Sequence, residues 1–314
     1  MSKQLRIWLF VLLSTLLTST TLLAEGVITM TTSKAVGETI KLKIEANGDV
    51  SITGVRESAR TDGYSKDYTL TNQTVIIRGD VTELSCEDNQ LTSLDVSKNT
   101  SLTELDCGDN QLISLDVSKN TALTELNCYG NQLPSLDVSK NTALTELYCS
   151  ENQLTSLNVS KNTALTKLDC SWNQLTSLDV SKNTALTSFS CFDNQLTSLN
   201  VSKNRALTTL SCGGNQLTSL DLSKNTALTE LYCYDNQLTS LNVSGCISLR
   251  DLDCSSNYIN GKAMTKLVNS LPNRRRKSSG RISLVDRSSK KRDKNRCSAA
   301  DVTTVRRKNW EVIK

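Results

Sequence analysis

Residues 102–112 read LTELDCGDNQL, residues 144–154 read LTELYCSENQL and residues 228–238 read LTELYCYDNQL. All three share the frame L-x-x-L-x-C-x-x-N-x-L. Its cysteine belongs to a series, Cys86, Cys107, Cys128, Cys149, Cys170, Cys191, Cys212, Cys233 and Cys254, whose members stand 21 positions apart without exception. A fixed period of this size means stacked structural units. Nine of them run from 81 to 259. Positions of the Leu105, Cys107 and Leu112 type point inward from a short strand. The few apolar side chains buried by one turn do not offset the entropy of ordering its backbone. No turn stands alone, and stacking supplies the rest.

The remaining ten residues of each unit nearly repeat the first eleven: LTSLDVSKNT at 175–184 is again L-x-x-L-x-apolar-x-x-N. Val and Thr favour extended chain, and so short a segment cannot hold a helix and two turns. The spacing predicts a flattened coil with a strand on each side. Asparagines form two ladders, one through Asn110, Asn131, Asn152 and Asn173, the other through Asn99, Asn120, Asn141 and Asn162. Where the chain leaves a strand its backbone groups lose their partners, and a side-chain amide both donates and accepts there. These residues are structural.

The repeated frame resembles the leucine-rich repeat signature with cysteine in the third apolar slot. The two-part turn looks like the nested 21-residue class of bacterial leucine-rich repeats. Over nearly its whole exported length the chain resembles internalin-like proteins of bacteria. That resemblance implies a mainly β, right-handed leucine-rich-repeat solenoid with parallel sheet(s), capped at both ends. It also implies an extracellular interaction protein acting in attachment to host cells, other bacteria or biofilm matrix.

The cysteines read as a buried stack, since a free cysteine behaves as a small hydrophobe. No histidine occurs anywhere and no C-x-x-C spacing accompanies them, so neither a metal nor a cofactor is expected. The lack of imidazole, of a nucleophile elbow and of a glycine-rich phosphate loop argues against an enzyme. Cys246 replaces an asparagine of the second ladder in VSGCISL (243–249), and Cys297 lies outside the repeats. A Cys246–Cys297 bridge is a rival to two free thiols in an oxidising compartment.

Residues 1–24 read as a cleaved secretory signal peptide. Lys3 and Arg6 supply its positive start, Ile7 to Leu17 its apolar stretch, and Ala24 the last residue before cleavage. No lipoprotein cysteine follows, and no wall-sorting tail is present. The expected location is secreted or at a bacterial cell surface, and the expected state is a monomer. Residues 25–80 carry period-two segments (39–46, 49–55, 67–71 and 73–79), an antiparallel β cap over the first turn. Arg78-Gly79-Asp80, an integrin-type tripeptide, reads as a turn into the first repeat. Residues 260–314 form a basic β/α cap, with helices over 262–271 and 298–309 and strands over 282–286 and 310–313.

Charge is divided sharply. Residues 273–314 hold 15 Lys and Arg against 4 Asp and Glu, and the rest of the chain has a charge of −7. Arg274, Arg275, Arg276, Lys277, Lys290, Lys291 and Arg292 are candidate polyanion-binding residues; solvated loops of a cap are the alternative.

Comparing the units with one another separates what the fold requires from what varies. SLDVSKNTA recurs almost verbatim, whereas the outward positions beside the cysteine change from turn to turn. Six aromatics occupy such positions: Tyr129, Tyr148, Trp172, Phe192, Tyr232 and Tyr234. Large aromatics on a rigid sheet are binding anchors, giving much contact at little entropy cost. Glu83, Glu104, Glu125, Glu146 and Glu230 border them. The predicted partner is therefore a protein or glycan, with a polyanion at the basic cap or a purely structural spacer as alternatives.

Overall fold

The computed structural model describes residues 26–286 and 293–313. The signal peptide expected over 1–24 lies outside the described residues, as do Lys290, Lys291 and Arg292. Five strands precede the repeats: β1 (Val27–Thr32), β2 (Thr39–Ala46), β3 (Ser51–Thr53), β4 (Lys66–Thr69) and β5 (Thr74–Arg78). The first unit contributes β6 (Val81–Ser85) and β7 (Leu91–Asp95). Each later unit adds one three-residue strand: β8 (Glu104–Asp106), β9 (Glu125–Asn127), β10 (Glu146–Tyr148), β11 (Lys167–Asp169), β12 (Ser188–Ser190), β13 (Thr209–Ser211), β14 (Glu230–Tyr232) and β15 (Asp251–Asp253). The chain ends in α1 (Lys262–Ser270), β16 (Gly280–Ser283), α2 (Ala299–Arg307) and β17 (Trp310–Ile313).

The repeat strands pair in parallel with the 21-residue register, so that Leu84, Leu105, Leu126 and Leu147 lie opposite one another. Their alternation is that of a half-buried strand. Leu147 points inward with Cys149, while Glu146 and Tyr148 face out. The leucines, valines and cysteines of all turns form one continuous core.

The second side differs from the expected strand. Among the described residues only β7 is a strand there, and it pairs with the antiparallel cap strand β1 rather than with a neighbouring repeat. In later turns the Gln111 amide reaches the Leu91 carbonyl at 2.8 Å. The next amide, Leu112, donates instead to Asn131 Oδ1 at 2.9 Å, and the Val96 carbonyl accepts from Asn120 Nδ2 at 3.0 Å. Asparagine side chains hold the backbone groups that a second ladder would use.

The two asparagine ladders are unequal. In the first, Asn152 donates to the carbonyls of Cys128, Cys149 and Ser150, and its Oδ1 accepts from the Leu133 amide at 3.0 Å. In the second, Asn162 donates to Val138 and Asn141 at 2.9 and 2.8 Å, but its buried Oδ1 has no partner. The same holds for Asn120, Asn141, Asn183, Asn204 and Asn225. Cys246 ends this ladder, its thiol directed at the Leu222 carbonyl.

No disulfide is formed among the described residues, so the Cys246–Cys297 bridge weighed from the sequence is absent. The stacked thiols are fully buried, and desolvation pushes Cys128 and Cys212 up to about 12. Cys297 lies near the end of the stack, where it adds to the dominant effect of burial in raising the Cys254 pKa.

The N-terminal cap covers both sides of the first turn. Strand β2 continues the repeat sheet in antiparallel fashion beside β6, while β1, whose strand the sequence reading had not anticipated, covers the second side between β5 and β7. Gly79 is buried with φ 138°, and Asn47 Nδ2 donates to Asp80. The tripeptide is a turn, as read. At the other end β16 and β17 add two further parallel strands to the same sheet. The capping box of Ser298 and Asp301 starts α2.

Candidate functional site

Every repeat carries a left-handed residue two places after its cysteine, from Asp88 (φ 55°) to Ser256 (φ 54°). Here the chain turns out of the strand, and most turns place Asp, Gly, Glu or Ser there. Glycine adopts this conformation freely and aspartate tolerates it. Trp172 is the exception, a bulky residue at φ 52° that stands 52% exposed. Its ring meets Phe192 of the next turn edge-on, with centroids 5.5 Å apart and planes at 79°. Strain of this kind persists where the surrounding structure holds it, and it clusters at functional positions.

The other aromatics are fixed differently. Tyr129 and Tyr234 lie over Gly108 and Gly213 of the preceding turns, and a Cβ on either glycine would come within 2.8 Å of the ring. The Tyr129 hydroxyl also bonds to the Asp109 carboxylate. Tyr148 donates to Glu146 Oε2 at 2.6 Å. Tyr232 has no hydroxyl partner among the described residues, because Glu230, its counterpart of Glu146, is drawn to Arg250 at 2.7 Å. All six predicted aromatics thus sit on the outward side of one sheet, and five of them are half-buried.

Beside them Glu83, Glu104, Glu125 and Glu146 stand in register across β6, β8, β9 and β10. Lysines close the row at both ends: Lys43 of β2 reaches Glu83 at 3.0 Å and Lys167 reaches Glu146 at 2.9 Å. The two central carboxyls have raised pKa values, through desolvation first and neighbouring carboxylates second. Glu146 is lowered, chiefly by the Tyr148 hydrogen bond.

The basic cap spends part of its charge inward. Arg274, expected to meet a polyanion, is buried; it donates to the carbonyls of Leu249 at 3.0 Å and Ser278 at 3.1 Å and lies over Trp310. Lys308 reaches the Leu271 carbonyl at 2.7 Å. Arg275, Arg276 and Lys277 remain exposed. Composition counted these charges alike, since no local pattern distinguishes an arginine that ties down a cap from one facing water.

Among the described residues no group of three or more His, Cys, Asp or Glu side chains is placed to hold a metal ion. No described helix is long and apolar enough to cross a membrane.

The family model "Leucine Rich repeats (2 copies)" matches residues 205–243. No curated protein matches the chain. Among solved structures, the functional domain of InlJ from Listeria monocytogenes, described as including a cysteine ladder, is 36% identical. The match covers 69% of this chain and 52% of that one, with a TM-score of 0.59. A leucine-rich-repeat protein of Leptospira interrogans is 23% identical over 70% of this chain and 56% of its own, with a TM-score of 0.58. YopM, a leucine-rich effector of Yersinia pestis, is 22% identical over 65% and 55%, with a TM-score of 0.51. The chain thus spans about half the length of these three structures, and the last two likenesses concern fold alone.

Proposed function

Because this chain is a leucine-rich-repeat protein of internalin-like build, we propose that it is a non-enzymatic binding protein that works outside the cell, secreted or at a bacterial surface. Its outward sheet face is the adhesive surface, presenting a rigid array to a protein or glycan on a host cell, another bacterium or a biofilm matrix. One observation carries this reading. Trp172 is held half-exposed in a left-handed backbone conformation and packs edge-on against Phe192, although the same position in the other turns is Asp, Gly, Glu or Ser. A spacer that merely separates two caps has no use for an exposed indole in a strained conformation.

Tyr129, Tyr148, Trp172, Phe192, Tyr232 and Tyr234 are the proposed contact residues. Pull-down from bacterial and host-cell surfaces with the intact chain, and with Tyr148, Trp172 and Phe192 each changed to Ser, tests the assignment. Loss of about tenfold or more in partner affinity supports it; unchanged capture by all three variants refutes it. The exposed Arg275, Arg276 and Lys277 support a second mode, retention by polyanions. Binding through them weakens steeply with salt, whereas contacts through the aromatic face respond little.

A further inference from the structure

We propose that the concavity where the repeat sheet meets the C-terminal cap is a binding site for an uncharged saccharide. This inference rests on the reading of the outward face as a binding surface and names the ligand class at one end of it.

The regular spacing ends at this place. Asp251 of β15 has Glu230 of the preceding repeat on one side, but its partner on the other side is Arg281 of β16, 30 positions further on. Cap and solenoid together enclose about 390 Å³, within the range of about 300–1,000 Å³ usual for ligand pockets. Tyr232, Tyr234, Asp251, Asp253, Arg281 and Ser283 line it.

The charge pattern selects the ligand. Asp251, Asp253 and Asp286 oppose an anion. Arg281, whose Nη1 lies 3.5 Å from Asp251 Oδ2, offsets one of these carboxylates in the same space. What remains is a set of donors and acceptors side by side on neighbouring strands, suited to the adjacent hydroxyls of a sugar ring. Tyr232 supplies the aromatic surface. Its equivalent in an earlier turn, Tyr148, is tied to Glu146, but Arg250 takes Glu230 and leaves the Tyr232 hydroxyl for a ligand. A ring with one apolar face and one polar tip suits a sugar, which has both kinds of surface.

The test uses the intact chain with four neutral probes, maltotetraose, cellotetraose, chitotetraose and mannotetraose, followed by saturation-transfer NMR and calorimetry. At least one should bind saturably, with little change in affinity between about 0.05 and about 0.5 M salt. Tyr232→Ala and Arg281→Gln should each weaken it about tenfold while circular dichroism stays unchanged. Ile113→Ser, exposed and outside the lining of the concavity, should leave it intact. The proposal is overturned if none of the four binds, or if both pocket variants bind as the parent does. It is also overturned if Tyr232→Ala instead abolishes binding of heptalysine or a heparin fragment, an outcome that leaves the wider binding-face reading standing. Conversely, saccharide binding lost on Tyr232→Ala, together with surface capture untouched by Tyr148→Ser, Trp172→Ser and Phe192→Ser, would retain this site and remove the wider reading.

Discussion

Tyr129 lies against Gly108 of the turn before it, so close that a Cβ built on the glycine would stand 2.7 Å from ring carbons Cδ1 and Cε1. Tyr234 and Gly213 repeat the arrangement. The glycine is required by the neighbouring turn's aromatic ring, and each pair works as a unit. Gly108→Ala should displace the Tyr129 ring and cost about 1–3 kcal/mol, as overpacking does. Ser150→Ala, at the equivalent position without a ring above it, should stay within about 0.5 kcal/mol. Urea titration of both variants checks this, and equal midpoints would refute the pairing.

The unequal asparagine ladders give a ranking. Asn152→Ala removes one of the donors to each of three carbonyls and the partner of the Leu133 amide, whereas Asn162→Ala removes one of the donors to each of two carbonyls and also an orphaned oxygen. At about 1 kcal/mol per net hydrogen bond, the first variant should be less stable than the second by about 1–2 kcal/mol. Equilibrium denaturation of the pair measures the difference, and the reverse order would show that the second ladder is satisfied in solution.

The carboxylate row predicts a pH effect of definite sign. The folded pKa of Glu125 is raised, so its ionised form is penalised in the fold. The penalty sets in as pH rises from the unfolded value of about 4.3 through the folded one and is complete above it. Glu125→Gln should therefore stabilise the protein at pH 7 by about 0.2–1 kcal/mol, the range for cross-strand pairs, with the gain vanishing near pH 4. A variant less stable than the parent at pH 7 would mean that the carboxylate has an attractive partner.

Ten of the eleven thiols are buried and Cys297 is half-buried. A thiol reagent applied to the folded protein should label Cys297 quickly and the stacked cysteines only after unfolding, because burial denies access and disfavours the thiolate. The intact mass should not change on reduction. Rapid labelling of Cys170 or Cys191 in buffer would contradict the packing described above.

The repeat frame, the inward leucines and cysteines, and both caps were legible because a 21-residue period admits few solutions. A side chain recurring at every turn must do the same job each time. Strand β1 escaped notice because its pairing partners, β5 and β7, are remote in sequence. The second side was misjudged for a related reason: Val and Thr report extended chain, but whether that chain forms a ladder depends on where the asparagine amides point.

The sequence by itself determined the stacking, since it holds an apolar pattern that no single turn can bury. It also marked out the outward aromatics as the positions that vary. Only the tertiary structure decided which groups are spent and which remain: that Arg274 is locked inside the cap, that Glu230 goes to Arg250 and leaves Tyr232 unpaired, and that Arg281 stands beside Asp251. The physical reason is that burial follows from local periodicity, whereas the partner of a polar group is settled by residues brought near it from other turns and from the cap.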